Sequence, residues 1–455
     1  MAPDVARLTR VLECVRPASG AVRIKAAATA ARISSGLWRM AMVPPLCSCL
    51  ARWQHRPAVA GRYAIRDHWC GAGVCREVAV RVLVIGAGIG GLGAARALSR
   101  DGHEVAVFER AGHLRTAGGA LTLWSNGTGI LSELGVSLDG VGAPIEMLQV
   151  QRWDGRFLMS IDVARAASRF GHPHVLLPRR RLLERLADGL PLSMVTFGRA
   201  CTGMAQDADR VRAEFDDGTT ASGDLLIGAD GHRSVVRDHL WGGDPTVPSG
   251  WATWQGLSAV PIDVTSSRRG LMVAGGAGMC GLMPAGEGLL QWWFDLRWPA
   301  GDRLPASPIA DLRQRFGHWA APVGEVLATA HEADVEFFAH YRHRVPRCWG
   351  TGRATVAGDA AHTMPPTRAQ GANQALEDAW ALAGALRATG DVSAALRRYE
   401  RARSRRAALV ARVAGSEDFN RYRPAMFGLT PDALVSRYNT RWLKQVSNYL
   451  AAMPA

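Results

Sequence analysis

A glycine-rich turn between a strand and a helix constrains the fold of this chain more than any other feature. The turn reads Gly-Ala-Gly-Ile-Gly-Gly over residues 86–91, and an apolar strand pattern precedes it. Gly86 permits a tight turn, Gly88 lets a pyrophosphate approach the backbone, and Gly91 lets the helix pack closely on the strand. The pattern predicts a βαβ unit that binds a dinucleotide at the positive N-terminus of its helix.

An acidic residue at the end of the second strand limits which nucleotide is expected. Glu109 closes the predicted strand 104–109. A carboxylate at this place accepts hydrogen bonds from both ribose hydroxyls, and it repels the 2′-phosphate of NADP. The residues therefore leave FAD and NAD as the candidate nucleotides.

Two further segments carry a strand that ends in a Gly-Asp or Ala-Asp turn. Residues 224–237 contain Gly-Ala-Asp-Gly with Asp230, and residues 353–362 contain Gly-Asp with Asp359. A helix start with the sequence Gln-Gly-Ala-Asn follows at 370–373. Asp359 is placed to accept hydrogen bonds from cofactor hydroxyls, and a helix cap is the alternative role for this residue.

At these motifs the chain resembles the class A flavin-dependent monooxygenases, the family of p-hydroxybenzoate, salicylate and urate hydroxylases and zeaxanthin epoxidase. The resemblance covers about residues 80–415. It implies an α/β fold with a Rossmann-like FAD-binding domain, an inserted antiparallel β-sheet substrate domain and C-terminal helices. Arg179 matches the family's Arg-x-x-Leu-x-x-x-Leu motif. The cofactor-binding residues are then expected to be Gly86, Gly88, Gly91, Glu109, Arg179, Asp230, Asp359, Gly371, Ala372 and Asn373.

The resemblance also implies the reaction. NAD(P)H reduces FAD, and O2 forms a C4a-hydroperoxyflavin that hydroxylates or epoxidises an aromatic or polyketide-like small molecule. A helix that begins near Gly371 directs its positive end at the flavin N1 and O2 atoms, where the reduced flavin is negative. Two alternatives stay open: a flavin dehydrogenase, oxidase or reductase on the same fold, and a non-catalytic flavoprotein that binds an aromatic ligand.

The composition of successive segments predicts how the chain is divided. Residues 1–77 lack periodicity, so we interpret them as an uninformative extension, which a start assigned too far upstream would explain. The FAD-binding parts alternate with aromatic-rich parts of an inserted substrate domain. The predicted segments are 78–144 (FAD-binding), 145–175 (substrate), 176–245 (FAD-binding), 246–345 (substrate) and 346–455 (Gly-Asp motif and C-terminal helices).

The family motif Pro-x-x-Gly-Gln-Gly is altered in this chain. Ala369 stands where the motif has its first glycine. If that position needs a positive φ, alanine costs about 1 kcal/mol relative to glycine. We expect FAD binding to survive this change.

Candidates for the substrate pocket and for catalysis are less defined. Trp254 and Trp292 are predicted to contact the substrate, as members of a tryptophan set with Trp251 and Trp293, and core packing is the alternative for each. His362 and Pro366 lie nearest the flavin loop in sequence, whereas His340 and His343 are weaker candidates. No other catalytic residue is predicted, because the flavin itself carries the chemistry.

Charge and cysteine patterns exclude several other classes of function. The formal net charge is +14, but 12 Arg and Lys against 4 Asp and Glu fall within residues 1–79. Arginine makes up 52 of the 54 basic residues, which indicates codon bias more than a nucleic-acid surface. The chain has no zinc spacing, no disulfide framework and no apolar run that spans a membrane. We therefore expect a cytoplasmic monomer or homodimer that binds no metal.

Overall fold

The computed structural model describes residues 79–115, 118–260, 262–417 and 431–453. The predictions about residues 1–77 lie outside these described residues. The strands are β1 Arg81–Ile85, β2 Glu104–Glu109, β3 Ala120–Leu123, β4 Ala143–Pro144, β5 Met147–Arg152, β6 Phe157–Asp162, β7 Val175–Pro178, β8 Val195–Phe197, β9 Cys201–Gln206, β10 Val211–Phe215, β11 Thr220–Gly223, β12 Leu225–Gly228, β13 Val247–Ser258, β14 Arg269–Gly275, β15 Gly278–Gly286, β16 Leu289–Arg297, β17 Glu336–Arg342 and β18 Ala354–Val356.

The helices alternate with these strands and then follow them. They are α1 Ile89–Arg100, α2 Ser125–Glu133, α3 Ala164–Phe170, α4 Arg179–Ala187, α5 Val235–Trp241, α6 Asp263–Ser266, α7 Pro308–Phe316, α8 Val323–Thr329, α9 Asp359–His362, α10 Gly371–Arg387, α11 Val392–Ala414, α12 Asp432–Val446 and α13 Asn448–Ala452. Among the described residues, no helix is both long enough and apolar enough to cross a lipid bilayer.

A five-stranded parallel sheet carries the nucleotide-binding motifs. Its strand order is β18-β12-β1-β2-β8, so β1 lies at the centre. Four of the five residues of β1 are buried, as a strand covered on both faces requires. The predicted βαβ unit is confirmed, because β1 and β2 pair in parallel and α1 connects them.

The turn after β1 has no room for side chains at two of its glycines. Gly86 has a φ of +102°, and a Cβ there would lie 2.5 Å from the carbonyl oxygen of Ala229. A Cβ on Gly91 would overlap the carbonyl oxygen of Gly86. In contrast, no described atom lies within 4 Å of the place where a Cβ on Gly88 would be. The turn is therefore closed toward the sheet and open at Gly88.

A seven-stranded sheet forms the second layer, in the order β17-β13-β16-β15-β14-β5-β6. Five of its pairings are antiparallel, whereas β14 and β5 pair in parallel. The predicted fold class is confirmed, although the inserted sheet is mixed at this one pairing. Parallel pairing needs a long connection between the two strands, and residues 153–268 separate β5 from β14 in the chain. The exact segment boundaries given above stay a prediction.

The two faces of this sheet have different neighbours. Trp292 and Phe294 lie on the face that packs against α7 and α8, where the Phe294 and Phe316 rings are 4.8 Å apart. Gln291 alternates with Trp292 and points to the opposite face, where its Oε1 accepts a hydrogen bond from the backbone N–H of Ala120 at 2.5 Å. This second face therefore contacts the loop that precedes β3.

The structure confirms the predicted C-terminal helices. Helix α10 packs against α1 and α11, and α11 contacts the parallel sheet at β18, where Tyr399 Oη donates to the Val356 carbonyl at 3.1 Å. Helix α12 reaches the edge strand β6, where the Asp432 carboxylate accepts hydrogen bonds from the backbone N–H of Ser160 at 3.1 Å and its hydroxyl at 2.6 Å. The C-terminal helices thus contact both sheets.

The turn geometry predicts opposite results for alanine at two neighbouring glycines. Gly91→Ala places a methyl group on the Gly86 carbonyl, so we expect the free energy of unfolding to fall by at least about 2 kcal/mol. Gly88→Ala is the matched control, and we expect a change within about 0.5 kcal/mol. Urea unfolding of the FAD-free protein measures both changes. Equal destabilisation by the two variants would contradict this account of the turn.

Candidate active site

Three turns that are distant in the sequence meet at the carboxyl ends of the parallel strands. The turn after β1 contacts the turn after β12, since Gly86 approaches Ala229. It also contacts the turn after β18, because a Cβ on Gly90 would lie 3.9 Å from the Cα of Gly358. In an open α/β sheet, ligands bind at the carboxyl ends of the strands. The predicted motifs are therefore brought together at the edge where a nucleotide is expected.

Glu109 holds the glycine turn as well as facing the expected ribose position. Its Oε2 accepts a hydrogen bond from the N–H of Ala87 at 2.8 Å, and its Oε1 accepts one from the N–H of Ala111 at 2.9 Å. Each carboxylate oxygen has a second lone pair. Glu109 thus fixes the turn and retains the capacity to accept further hydrogen bonds.

Asp359 and the start of α10 face each other across an open space. The Asp359 carboxylate is exposed and forms no hydrogen bond with the side chains or backbone of the described residues. Its Oδ1 lies 3.9 Å from the place that a Cβ on Gly371 would occupy. The first N–H groups of a helix carry a partial positive charge. Because the Asp359 carboxylate accepts no hydrogen bond from the N–H groups of α9, it does not act as the helix cap that was the alternative interpretation.

Arg179 lies close enough to two carboxylates, those of Asp359 and Glu336, to interact with both. Its Nε is buried and has no hydrogen-bond partner within the described part of the chain. Burial lowers the pKa of the Arg179 guanidinium, the charge of Arg115 lowers it further, and the carboxylates of Asp359 and Glu336 partly offset these effects. A half-buried arginine whose buried Nε has no protein acceptor favours an external anion or acceptor here.

The Asp230 carboxylate already accepts hydrogen bonds from protein groups. Its carboxylate accepts hydrogen bonds from the hydroxyl of Ser234 at 2.5 Å and from the N–H groups of Val235 at 2.8 Å and Val236 at 3.3 Å. Burial raises the pKa of the Asp230 carboxyl, and these hydrogen bonds lower it in part. Asp230 thus stabilises the first turn of α5, and its direct contact with a nucleotide stays a prediction.

The loop before α10 has the strained backbone that its alteration suggested. Ala369 has a φ of +48° and a ψ of +38°, which is the left-handed region. Its carbonyl accepts hydrogen bonds from Trp124 Nε1 at 3.1 Å and from Asn373 Nδ2 at 2.8 Å. The Asn373 side chain also binds the backbone of residues 122 and 124, so it attaches the loop to β3. These contacts hold Ala369 in its conformation.

The two candidate catalytic residues have different surroundings. His362 is fully buried, and its Nε2 lies 2.7 Å from Asp378 Oδ2. Pro366 is exposed and begins a short 3-10 turn whose carbonyl accepts a hydrogen bond from the N–H of Ala369 at 2.7 Å. Burial behind the Gly358 turn does not favour a catalytic role for His362. A role for either residue in catalysis stays a prediction.

A cavity of about 300 Å³ lies next to Arg179, between the loop before β3 and the sheet strands β13 and β17. Its lining combines polar and charged side chains with three glycines and two apolar side chains. The lining side chains with polar groups are Arg180, Gln255, Asp334 and Glu336. Gln255 Nε2 lies 3.5 Å from Glu336 Oε2, and Gln291 Nε2 donates to Gln255 Oε1 at 3.2 Å. The cavity therefore presents both hydrogen-bond donors and acceptors.

The predicted tryptophans do not line this cavity. Trp254 packs with Phe337 at 4.8 Å between ring centroids, and Trp292 is completely buried on the same helix-covered face. Sequence reasoning missed Arg180, Gln255 and Glu336. Strand alternation indicates that Gln255 and Trp254 point to opposite faces, but it does not show which face is the site.

The residues around the three turns fit the FAD that the motifs imply. Gly88 leaves space for a pyrophosphate, and Asp359 and Arg179 offer a carboxylate and a guanidinium without full sets of protein partners. The N-terminus of α10 offers its backbone N–H groups. When bound, FAD supplies the electron transfer and oxygen activation that the side chains cannot perform.

Comparisons with known proteins agree with this site. A family model described as an FAD binding domain matches residues 79–414. The 3-amino-4-hydroxybenzoate 2-monooxygenase of Streptomyces cremeus is 36% identical over 74% of this chain and 86% of its own length. The FAD-dependent urate hydroxylase of Klebsiella pneumoniae is 32% identical over 70% of this chain and 85% of its own length.

Solved structures agree in the same way. The crystal structure of Klebsiella pneumoniae HpxO with FAD and uric acid is similar with a TM-score of 0.76 and 28% identity. That likeness covers 80% of this chain and 97% of the other. A salicylate hydroxylase substrate complex shares the fold with a TM-score of 0.66 and 22% identity. From the converging motifs and these relatives together, the chain belongs to the FAD-dependent monooxygenases of class A.

Proposed function

We propose that this monooxygenase hydroxylates a small aromatic compound that carries both an acidic group and a nitrogen-bound hydrogen. NAD(P)H supplies the electrons and O2 the oxygen atom. The observation that carries the proposal is the cavity beside Arg179. Its lining includes one arginine, one glutamine and two acidic residues, which are Arg180, Gln255, Asp334 and Glu336. Its volume of about 300 Å³ suits a single substituted ring rather than a large polyketide.

The guanidinium of Arg180 supports an acidic group on the substrate. The neighbouring Arg181 pairs with Glu184 and Glu287, whereas Arg180 forms no ion pair with the described residues. A guanidinium binds a carboxylate through two parallel hydrogen bonds. We therefore assign Arg180 to an anionic substituent of the substrate.

Glu336 and Gln255 support a nitrogen-bound hydrogen on the substrate. A carboxylate accepts hydrogen bonds only, and it gains most from an amino group or a ring N–H. An unsubstituted hydrocarbon ring would offer the Glu336 carboxylate no donor beyond Gln255 Nε2 at 3.5 Å, and removing this carboxylate from water would then cost about 1–3 kcal/mol. The substrates named for two relatives, 3-amino-4-hydroxybenzoate and urate, carry such groups.

FAD is expected to be held by the residues that the structure leaves open at the three turns. We assign the ribose to Glu109, the pyrophosphate to the open turn at Gly88 and to the N-terminus of α1, and cofactor hydroxyls to Asp359. Arg179 and the N–H groups at Gly371 then face the flavin. Consumption of NAD(P)H supports a cytoplasmic location, and the alternatives of monomer and homodimer stay a prediction.

Isotope labelling tests the reaction type. With FAD, NADPH or NADH, and 18O2, we expect one heavy oxygen atom in the product of an accepted aromatic substrate, as judged by mass spectrometry. Oxidation that yields hydrogen peroxide and an unlabelled product would instead favour the oxidase alternative. Incubation without NAD(P)H is the control for labelling by exchange.

Ligand binding tests the assignment of Arg180. We expect 3-aminobenzoate to shift the flavin absorbance at lower concentration than benzoate or aniline, because it offers both groups. Arg180→Gln should weaken 3-aminobenzoate and benzoate about tenfold and leave aniline unchanged, which corresponds to the loss of one charge-assisted pair. Arg181→Gln is the matched control and should change none of the three. Equal binding of the three ligands by the unaltered protein would contradict the proposed substrate class.

Substitution separates the roles of two aspartates. Asp359→Ala should raise the Kd for FAD at least about tenfold, because a hydrogen bond to a charged group contributes about 1.5–3 kcal/mol. It should leave the FAD-free protein equally stable, since the carboxylate is exposed. Asp230→Ala should lower the free energy of unfolding by about 1–3 kcal/mol, because N–H groups of α5 lose their acceptor. Fluorescence titration and urea unfolding measure these effects, and an unchanged Kd in Asp359→Ala would refute its assignment.

A further inference from the structure

A buried ion pair lies directly behind the two cofactor-facing turns. Asp378 in α10 and Arg403 in α11 are both completely buried, and Arg403 Nε donates to Asp378 Oδ1 at 2.7 Å. Burial alone raises the pKa of the Asp378 carboxyl, but the charges of His362 and Arg403 together hold that pKa below its ordinary value. The carboxylate is therefore ionised and available as a strong hydrogen-bond acceptor.

The second oxygen of Asp378 holds the turn that carries Asp359. Asp378 Oδ2 accepts a hydrogen bond from the backbone N–H of Gly358 at 2.8 Å, and His362 Nε2 lies 2.7 Å from the same oxygen. Gly358 has a φ of +60° and a ψ of −142°. This backbone conformation directs the Asp359 side chain outward, while His362, three residues later, closes the short helix α9 from behind.

Arg403 connects this ion pair to the N-terminus of α10 through a chain of hydrogen bonds. Its Nη2 donates to the side-chain oxygen of Gln374 at 2.7 Å and to the Gln374 carbonyl at 3.2 Å. Gln374 Nε2 in turn donates to Gln370 Oε1 at 3.1 Å, and Gln370 is the residue that precedes the first turn of α10. The pair is thus hydrogen-bonded toward both the Gly358 turn and the Gln370 end of the helix.

We infer that Asp378 and Arg403 are positioning residues that set the spacing between Asp359 and the N-terminus of α10, and thereby tune both the affinity for FAD and its reduction potential. Neither side chain reaches the open space, because both are buried. They act through Gly358 and Gln374. A helix N-terminus stabilises the negative charge of a reduced flavin, and its effect falls off within the first turn. Small displacements of this helix end therefore change the potential.

A neighbouring carboxylate provides a matched control. Glu377 is also completely buried in α10, but it accepts hydrogen bonds from the hydroxyl of Ser447 and from the N–H groups of Asn448 at 2.9 Å and Tyr449 at 3.2 Å. It therefore attaches α13 to α10 and has no hydrogen bond to the Gly358 turn. Glu377 Oε2 also lies 3.8 Å from Arg403 Nη1, whereas Arg403 contacts Asp378 and Gln374 through Nε and Nη2. Loss of the Glu377 charge therefore removes one ion-pair contact of Arg403 but none of the hydrogen bonds to the two cofactor-facing turns.

The test compares three variants of the full chain. In Asp378→Asn we expect the Kd for FAD to rise at least about tenfold, as for loss of a charge-assisted hydrogen bond, and the flavin potential to become more negative. Asp378→Glu keeps the charge, which favours folding, but it displaces the acceptor from Gly358. We therefore expect the Kd for FAD to rise and the flavin potential to become more negative, as in Asp378→Asn. Glu377→Gln should lower the thermal midpoint and leave both quantities unchanged.

Fluorescence titration measures the Kd, and anaerobic reduction with a reference dye measures the potential. An unchanged Kd and potential in a folded Asp378 variant would overturn the inference, as would an equal change in Glu377→Gln. If Asp378→Asn does not fold, Asp378→Glu decides the question by the same two measurements. If neither Asp378 variant folds, the pair is a folding determinant rather than a tuning device, and the inference fails.

Discussion

The contact between the turn after β1 and its two neighbouring turns determines the arrangement of everything else in the site. β1 is the central strand of the parallel sheet, so the turns after β12 and β18 both lie near it. At Gly86 backbone lies against backbone, and a side chain there would overlap the Ala229 carbonyl, whereas Gly90 lies at van der Waals distance from the Gly358 turn. The distance between the Gly88 opening and the Asp359 carboxylate therefore follows from main-chain packing, which is more rigid than a contact between flexible side chains.

The second sheet presents polar groups to the cavity on one face and packs apolar side chains against α7 and α8 on the other. Its helix-covered face is closed by Trp254, Trp292 and Phe294, with the remaining apolar side chains of α7 and α8. The opposite face carries glutamine and carboxylate groups near the cavity, and it also carries Trp293 and Leu257, which pack against a separate apolar cluster. This division explains why an aromatic-rich segment produces a polar cavity: the aromatic side chains supply the burial that holds the sheet in place.

Three carboxylates with little or no exposure hold backbone segments of this protein. Asp230 binds the first turn of α5, Asp378 binds the Gly358 turn, and Glu377 binds the start of α13. Each has a full set of protein donors, as a buried charge requires. Asp359 differs in that its carboxylate is exposed and lacks such donors. The Asp359 carboxylate is therefore free to accept hydrogen bonds from a bound ligand, whereas Asp230 and Asp378 already accept them from protein groups.

The sequence by itself determined the βαβ unit, the three motif turns and the family, because each depends on local spacing between glycines, acids and apolar runs. It also indicated the strain at Ala369, since left-handed backbone is a property of a single residue. Only the tertiary structure decided that Asp230 is occupied by α5, that His362 is buried against Asp378, and that Trp254 and Trp292 face α7 and α8. Alternation along a strand separates two faces, but which face is covered by helices depends on contacts between segments far apart in the chain. The cavity group formed by Arg180, Gln255 and Glu336 has the same origin, because it joins three elements that no local pattern connects.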